Sequence, residues 1–462
     1  MPAPHQFNRT ILREYDIRGV IGETLSADDA YAIGRGFATI VQQHGGKRIC
    51  VGYDGRLSSP ELADSLIKGI KDTGAIAVLV GCGPTPMLYY AVHTLEAHGG
   101  VMVSGSHNPP NHNGFKFMLG QKSFFGEDIQ ALGRLAADGA YSIGEGSEEI
   151  FDLGASYVDA VFTGFDQAGD RELKVAWDAG NGAAGEVMVS LASQMPGEHH
   201  LLFEEIDGNF PNHHPDPAVL ANLADLQKTV KAKGCDVGLA FDGDGDRVGV
   251  VDDLGEVIWP DQLMILYSQA VLKNMPGATV ISDVKASQIL FDEIAKAGGE
   301  PLMWKTGHSL VKTKMAETKA PLAGEMSGHI FFGDRFFGFD DGLYAAIRLL
   351  ELMTQLDEPL SEIRKAWPKL FNTPEIRFQC DDDKKFDVVD AVKSVAEKED
   401  CEVIAIDGVR AVYPEGWWLL RASNTQDSLV ARIEGQDEAA VEALKLKLNG
   451  LLKPHNLVLP KD

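Results

Sequence analysis

Long apolar runs are missing. No stretch of about 20 consecutive apolar residues occurs in the 462, so no segment reads as a membrane-spanning helix. Cysteine is scarce. Cys50, Cys82, Cys235, Cys380 and Cys401 are scattered, odd in number and without metal-ligand spacing. A reducing cytoplasm is the simplest inference. The first residues, MPAPHQFNRTILREYDIRG, lack the basic-then-apolar order of a secretory signal. Positive charge is in deficit too. The formal net charge of -26 argues against nonspecific binding to nucleic acid or to anionic membranes. An anionic ligand would therefore need Lys, Arg and His gathered locally against the background sign. No segment is low-complexity and no linker is obvious.

What is present is alternation of strand-like and helix-like segments. KRICVGY (47–53) reads as a strand, and 60–73 as a helix that Pro60 starts and Gly74 ends. AIAVLVG, a helix through MLYYAVHTLEAH and the strand VMVSG follow. The order recurs in LKVAWD (173–178), a helix near 183–193, LLFEEI, a helix through 218–233 and CDVGLAFD. It recurs again in TVISDV (279–284), a helix through 287–297, PLMWKT, a helix through 309–318 and PLAGEMSGH. The first strand of each unit ends on an aspartate: Asp54, Asp178 and Asp283. This predicts an α/β protein with three related βαβ-type domains and largely parallel sheets. A smaller α+β domain follows, with strands EVIAIDGVRAVY and WWLLRAS and the helix EAAVEALKLKLNGLL. The expected boundaries are 1–152, 153–256, 257–368 and 369–462. Ligands of open α/β sheets bind beyond the carboxyl ends of the strands, so the three strand-end loops are expected to share one site.

Four stretches and one loop carry chemistry. In AFDGDGDRVGVV, Asp242, Asp244 and Asp246 alternate and would share one face of an extended backbone. Like charges so close repel by roughly 4 kcal/mol at an intermediate dielectric, which a cation would relieve. Oxygen ligands suit Mg²⁺ or Ca²⁺ better than zinc. A calcium EF-hand loop does not fit, because Arg247 stands where the sixth position needs Gly and Asp253 where the twelfth needs Glu. A solvated acidic turn is the bland alternative. VMVSGSHNPPNHNGFK cannot continue as a strand past Pro109 and Pro110, and it reads either as a turn or as a loop holding Ser106 exposed for covalent chemistry. GEMSGH alternates Glu325, Ser327 and His329, which suit sugar hydroxyls, a phosphate or a proton, or an ordinary turn. RASNTQ offers the planar fork of Arg421 and the polar groups of Ser423, Asn424 and Thr425 for a phosphate, or a hydrophilic hairpin. REYDIRG offers Arg18, or a surface ion pair. A nucleophilic hydroxyl, a magnesium loop, a hydroxyl-reading strand and a phosphate clamp together make up the parts of phosphoryl transfer on a sugar.

With REYDIRG, SGSHNPPNHNGFK, FDGDGDR, GEMSGH and RASNT in that order, the chain resembles the α-D-phosphohexomutases over essentially its whole length. The resemblance is strongest to the bacterial phosphomannomutase/phosphoglucomutase group. It implies three related α/β domains with mixed sheets and a fourth domain around a central cleft, and an intramolecular phosphotransferase that interconverts hexose 1-phosphate and hexose 6-phosphate through a hexose 1,6-bisphosphate. Ser106 would be the phosphorylated serine, and Asp242, Asp244 and Asp246 would bind Mg²⁺ together with the Ser106 phosphate. Lys116 and His329 would transfer protons or stabilise charge, with Arg18 and Arg247 beside the phosphoryl group. Glu325 and Ser327 would read the sugar, and Arg421, Ser423, Asn424 and Thr425 would hold the other phosphate. Tyr15, Lys285, Gly307 and His308 would add ligand contacts. The expected partner is a phosphosugar alone, with no nucleic acid or membrane, and the expected state is a monomer. One departure is His112, where the family often has Tyr. Phosphoglucosamine mutase is the near alternative, but it usually has Gln at the place of Met326 and Ala at that of Gly105. A noncatalytic metal binder and a simple phosphatase are the distant ones.

Overall fold

A computed structural model describes residues 3–166, 171–369, 371–424 and 426–460. In the first unit, strands Ile76–Cys82, Arg48–Tyr53, Gly99–Val103 and His112–Leu119 lie side by side in that order. The first three run parallel and the last antiparallel. The second unit repeats this with Gly197–Leu202, Leu173–Asp178, Val237–Phe241 and Val248–Asp252. The third does so with Glu300–Trp304, Thr279–Asp283, Leu322–Gly324 and Ile330–Phe332. The shared strand order establishes the threefold repeat that sequence identity leaves unproved. The inner parallel strands are buried along most of their length, as between covering helices, whereas the edge strands Gly197–Leu202 and Glu300–Trp304 are only partly covered.

Local signals set the helices. Ser26 and Asp29 form a reciprocal cap that starts Ala27–Gln43. That helix packs on Ser59–Lys71 at glycines: a Cβ on Gly34 would lie 2.2 Å from the Leu66 carbonyl oxygen. One apolar core runs without a break through the second and third units, from Trp177 and Phe241 to Tyr267 and Tyr344. The first unit has its own core around Phe37 and Phe115.

The fourth unit is an antiparallel sheet in which Ser428–Gly435 and Gly416–Ala422 are central. Helices Lys385–Ala396 and Glu438–Leu452 close its separate core. Its apolar contact with the third unit is small: Val284 against Trp417 and Leu419. Buried polar contacts reinforce it, with Arg410 donating to the carbonyls of Val284 and Ala286 and Arg432 to that of Lys285.

Three segments depart from expectation. The strand expected at 201–206 is Gly197–Leu202, because Phe203 turns out of it with φ +52°. The helix expected over 218–233 is a 3-10 turn, Leu220–Leu223, followed by Ala224–Lys233. The stretch 402–413 is a hairpin of Glu402–Ile404 and Val409–Tyr413, reversed at Gly408 with φ +79°. All five cysteines are free thiols, and among the described residues no helix is long and apolar enough to cross a membrane.

Candidate active site

The loops after the third strands meet the Arg421 hairpin in one cleft of about 1090 Å³, lined by residues of all four units. Asp54, at the end of the first unit's central strand, builds the serine loop. Its carboxylate accepts from Gly105 N at 3.0 Å and from Ser59 Oγ at 2.5 Å, and lies 3.0 Å from Ser104 Oγ. Ser106 N donates to Ser104 Oγ at 2.8 Å. Ser106 itself has φ +49°, a left-handed conformation uncommon for a residue with a side chain. The expectation of an exposed serine is corrected here. Ser106 is 2% exposed and lies on the floor of the cleft, because the loop folds back under the neighbouring unit. Its Oγ lies 3.3 Å from Asp242 Oδ2 and 3.1 Å from His107 Nδ1. Burial and the surrounding cations push His107 well down, so its ring is neutral.

Asp242, Asp244 and Asp246 converge, but on a turn rather than the expected extended face: Gly245 has φ +72°. One oxygen from each lies within 4.8 Å of the others, and all three residues are buried. Lys116 Nζ bridges Asp244 Oδ2 and Asp246 Oδ2 at 2.6 Å each. Asp244 Oδ2 also accepts from Thr85 Oγ1 at 2.5 Å. Asp244 Oδ1 and Asp246 Oδ1 are buried with no hydrogen bond. Buried carboxylate oxygens so poorly satisfied, Asp244 Oδ1 with no hydrogen bond and Asp246 Oδ1 facing only the His329 ring at 3.3 Å, fit a hard divalent cation, so the donor set suits Mg²⁺ or Ca²⁺. Burial and the two neighbouring carboxylates hold Asp242 well above the usual range. Burial opposes ionisation of Asp246 as well, yet Lys116 and His329 keep it well below that range. A Cβ on Gly243 would lie 2.4 Å from the Ser106 carbonyl oxygen, so the aspartate turn and the serine loop touch backbone to backbone.

His329 joins the third unit to this cluster. Its Nε2 lies 3.3 Å from Asp246 Oδ1, and its Nδ1 lies 2.7 Å from Ser327 Oγ and 3.3 Å from Glu325 Oε2. Burial lowers its pKa, but Asp246 and Glu325 raise it to about 9. Arg247 Nε is 3.3 Å from His329 Nε2, which can accept that hydrogen bond only in the deprotonated ring. Arg247 Nε also lies 3.6 Å from Asp242 Oδ2. His308 stacks on His329 at 5.5 Å between ring centroids. Asp340, absent from the sequence-based set, lies 3.2 Å from His308 Nδ1 and 2.7 Å from Lys312 Nζ.

Farther along the cleft, Glu325 Oε1 accepts from Gly307 N at 2.6 Å. A Cβ on Gly307 would strike the Tyr15 ring at 2.6 Å, which explains the glycine. Tyr15 Oη donates to the Thr306 carbonyl at 2.8 Å and accepts from Asn424 Nδ2 at 2.7 Å. Lys285 pairs with Glu375 at 3.0 Å, and Arg421 Nε with Asp407 at 3.0 Å. Asp407 and Glu375 are thus site residues that sequence reasoning missed. Arg18 pairs with Asp16 and faces the cleft, as does Ser423. Thr425 lies outside the described residues. His112 Nδ1 lies 3.0 Å from Asn111 Oδ1, and the His112 carbonyl faces inward.

Arg56 is the largest omission. It is buried beneath the serine loop and donates to carbonyls on both sides of the two prolines. A Cβ on Gly105 would lie 2.3 Å from Arg56 Nε, so the glycine of Gly-Ser-His-Asn is the local sign of that guanidinium.

Residues 9–137, 155–255 and 259–371 match the family models described as phosphoglucomutase/phosphomannomutase alpha/beta/alpha domains I, II and III. Residues 375–450 match the C-terminal domain of the same family. The chain is 46% identical over 451 residues to a Pseudomonas aeruginosa protein named phosphomannomutase/phosphoglucomutase, covering 98% of this chain and 97% of that one. It is 44% identical to a phosphoglucomutase of Neisseria gonorrhoeae, covering 97% and 98%. A crystal structure of a phosphoglucomutase/phosphomannomutase family protein from Burkholderia thailandensis superposes with a TM-score of 0.93 at 42% identity, covering 99% of this chain and 100% of that one. Matched in all four units and along nearly its full length, the chain belongs to the phosphoglucomutase/phosphomannomutase family.

Proposed function

We propose that the protein interconverts hexose 1-phosphate and hexose 6-phosphate, acting on mannose and glucose phosphates through a phosphoserine at Ser106 and a hexose 1,6-bisphosphate. The observation that carries this reading is the approach of Ser106 Oγ to Asp242 Oδ2, 3.3 Å, at the floor of a cleft walled by cations. In the first half-reaction a sugar hydroxyl attacks phosphorus and the P–Oγ bond of Ser106 breaks. The hydroxyl's proton passes through the site to the departing Ser106 Oγ. In the return step Ser106 Oγ gives up a proton and attacks the other phosphate of the reoriented bisphosphate. The bond from that phosphorus to the sugar oxygen breaks, and the sugar oxygen takes up the proton. Lys116 and His329 serve as proton-transfer or charge-stabilising groups. Arg18 and Arg247 neutralise the moving phosphoryl group, which carries about -1.5 to -2 units on a phosphoserine. Glu325 and Ser327 read the sugar hydroxyls. Arg421, Ser423, Asn424 and Thr425 hold the distal phosphate, with Tyr15, Lys285, Gly307 and His308 beside them.

Asp242, Asp244 and Asp246, with the Ser106 phosphate, would hold Mg²⁺, which would supply charge neutralisation at the phosphoryl oxygens. Catalysis otherwise rests on positioning. The domains run 1–152, 153–256, 257–368 and 369–462, and the fourth acts as a lid that lets the bisphosphate turn without escaping. The protein works as a cytoplasmic monomer on phosphosugars, without nucleic acid or membrane.

The test is an isomerisation assay with mannose 1-phosphate and glucose 1-phosphate, alongside mass spectrometry of the Ser106 peptide. Conversion to the 6-phosphates, a phosphoryl group on Ser106 and loss of turnover in Ser106→Ala and Asp244→Ala are expected. Release of inorganic phosphate and free sugar would instead make it a phosphatase. Faster turnover of glucosamine phosphate would make it a phosphoglucosamine mutase.

A further inference from the structure

The Arg56 guanidinium has five N–H donors, and each finds an acceptor. Nε faces Asp54 Oδ2 at 3.2 Å. Nη1 donates to the carbonyls of Pro109 at 2.6 Å and His112 at 3.0 Å. Nη2 donates to those of Ser106 and Asn108 at 2.6 Å each. The Arg56 side chain is 0% exposed, so its donors are met by these acceptors rather than by water. Above the guanidinium, Phe210 of the second unit places its ring 5.2 Å away. Gly208 comes so close to the Arg56 backbone that a Cβ would lie 2.7 Å from its Cα. The segment has few bonds of its own: Asn108 donates through its N and Nδ2 to the Gly105 carbonyl, and His112 N to that of Pro109. Pro109 and Pro110 have no N–H, and Ser106 is in a left-handed conformation.

We infer that Arg56 is a positioning residue for phosphoryl transfer. By filling four carbonyls of the 106–112 loop it fixes Ser106 Oγ against the aspartate turn, while making no contact with the ligand cleft. The inference rests on the proposed mutase reaction for its kinetic consequence and on geometry alone for its structural one. A lysine, with three donors on a compact head, cannot replace the planar fork. A misplacement of about 1 Å is enough to cost roughly 100-fold in rate.

The experiment compares wild type, Arg56→Lys and Phe210→Leu in the full chain. Isomerisation of hexose 1-phosphate and amide hydrogen exchange across 104–113 are both measured. For Arg56→Lys, kcat is expected to fall about 100-fold with KM within threefold. Exchange in 104–113 should speed up by at least about tenfold while the cores of the second and third units keep their protection. Phe210→Leu, which keeps the fork but loses its aromatic cover, should lower kcat by about tenfold and speed exchange in 104–113 by about threefold. If Arg56→Lys is too unstable to purify, Phe210→Leu alone decides. A kcat within threefold of wild type, or a change confined to KM, overturns the inference. A wild-type chain that isomerises no hexose phosphate refutes the proposed reaction instead. Loop exchange then still decides the role of Arg56, and unchanged protection of 104–113 overturns it.

Discussion

Asp341 caps the helix Gly342–Thr354 by accepting from Tyr344 N at 2.9 Å, and it also accepts from Tyr157 Oη at 2.8 Å. It is nevertheless buried with no cation beside it. Burial pushes its carboxyl from an ordinary 3.8 up to about 7, against the opposing pull of those two hydrogen bonds. The folded protein therefore binds this proton more tightly than the unfolded chain does. The stability associated with it is fully present below about pH 4 and is lost as pH rises through about 7. Each pKa unit is worth about 1.4 kcal/mol, so a few kcal/mol is the upper bound of the effect. Asp341→Asn keeps a capping oxygen but has no charge to desolvate. Its melting temperature is expected to match wild type near pH 4 and to exceed it by several degrees near pH 8, as read by calorimetry across that range. A variant whose stability falls with pH as steeply as wild type would show that Asp341 is not the group being titrated. Ser106 is the contrasting case at this scale. Its strain, φ +49°, is stored beside the hydroxyl of the proposed phosphoryl transfer and held there by its neighbours.

The elements that matter most are two turns in contact, the serine loop and the aspartate turn. Gly243 is the point where they meet, and a Cβ there would lie 2.4 Å from a backbone oxygen that cannot rotate away. Gly243→Ala is expected to push the turns apart by a few tenths of an ångström or more. The fold should stay intact and kcat should fall by roughly 10- to 100-fold. Steady-state kinetics beside near-ultraviolet circular dichroism checks this, and turnover within threefold of wild type would count against the contact. Both turns are legible in the sequence because each is contiguous. Gly-Ser-His-Asn-Pro-Pro and Asp-Gly-Asp-Gly-Asp carry their chemistry and their breakers together. Arg56 is not legible that way. Its four carbonyl acceptors lie 50 to 56 residues away, and nothing beside it in the chain announces them. Asp340 escapes for the same reason, since the His308 imidazole it supports arrives on a different element, the helix His308–Thr318, which also carries Lys312. The alternation argument for Asp242, Asp244 and Asp246 reaches the right cluster through the wrong backbone: a turn at Gly245, not a strand, aims them inward. The repeat, weak in residue identity, is plain in strand order because packing preserves topology more strictly than side chains.

Across the whole molecule, charge and core are divided unequally. The chain carries -26 overall, yet Arg18, Lys116, Arg247, Lys285 and Arg421 are gathered at one cleft, where a doubly phosphorylated ligand can be held. The second and third units share one core, while the fourth has its own and meets the third through one small apolar patch and a few buried arginines. Such a joint suits a unit that moves as a body. Across the mouth of the cleft, Tyr15 ties the first unit to both sides. Its hydroxyl bonds the Thr306 carbonyl at 2.8 Å and Asn424 Nδ2 at 2.7 Å. If the fourth unit is the lid of the proposed reaction, this hydroxyl is its latch. Tyr15→Phe keeps the ring that packs on Gly307 and removes only the two hydrogen bonds, each worth about 1 kcal/mol. Together they correspond to roughly a 10- to 30-fold change in how long the bisphosphate is retained. The added hexose 1,6-bisphosphate needed for half-maximal activity is therefore expected to rise by about tenfold. Turnover at saturating bisphosphate should stay within about threefold of wild type, because the serine loop and aspartate turn are untouched. Titrating the bisphosphate at fixed hexose 1-phosphate separates the two effects. An unchanged requirement for bisphosphate would mean that the Tyr15 hydroxyl does not hold the cleft shut.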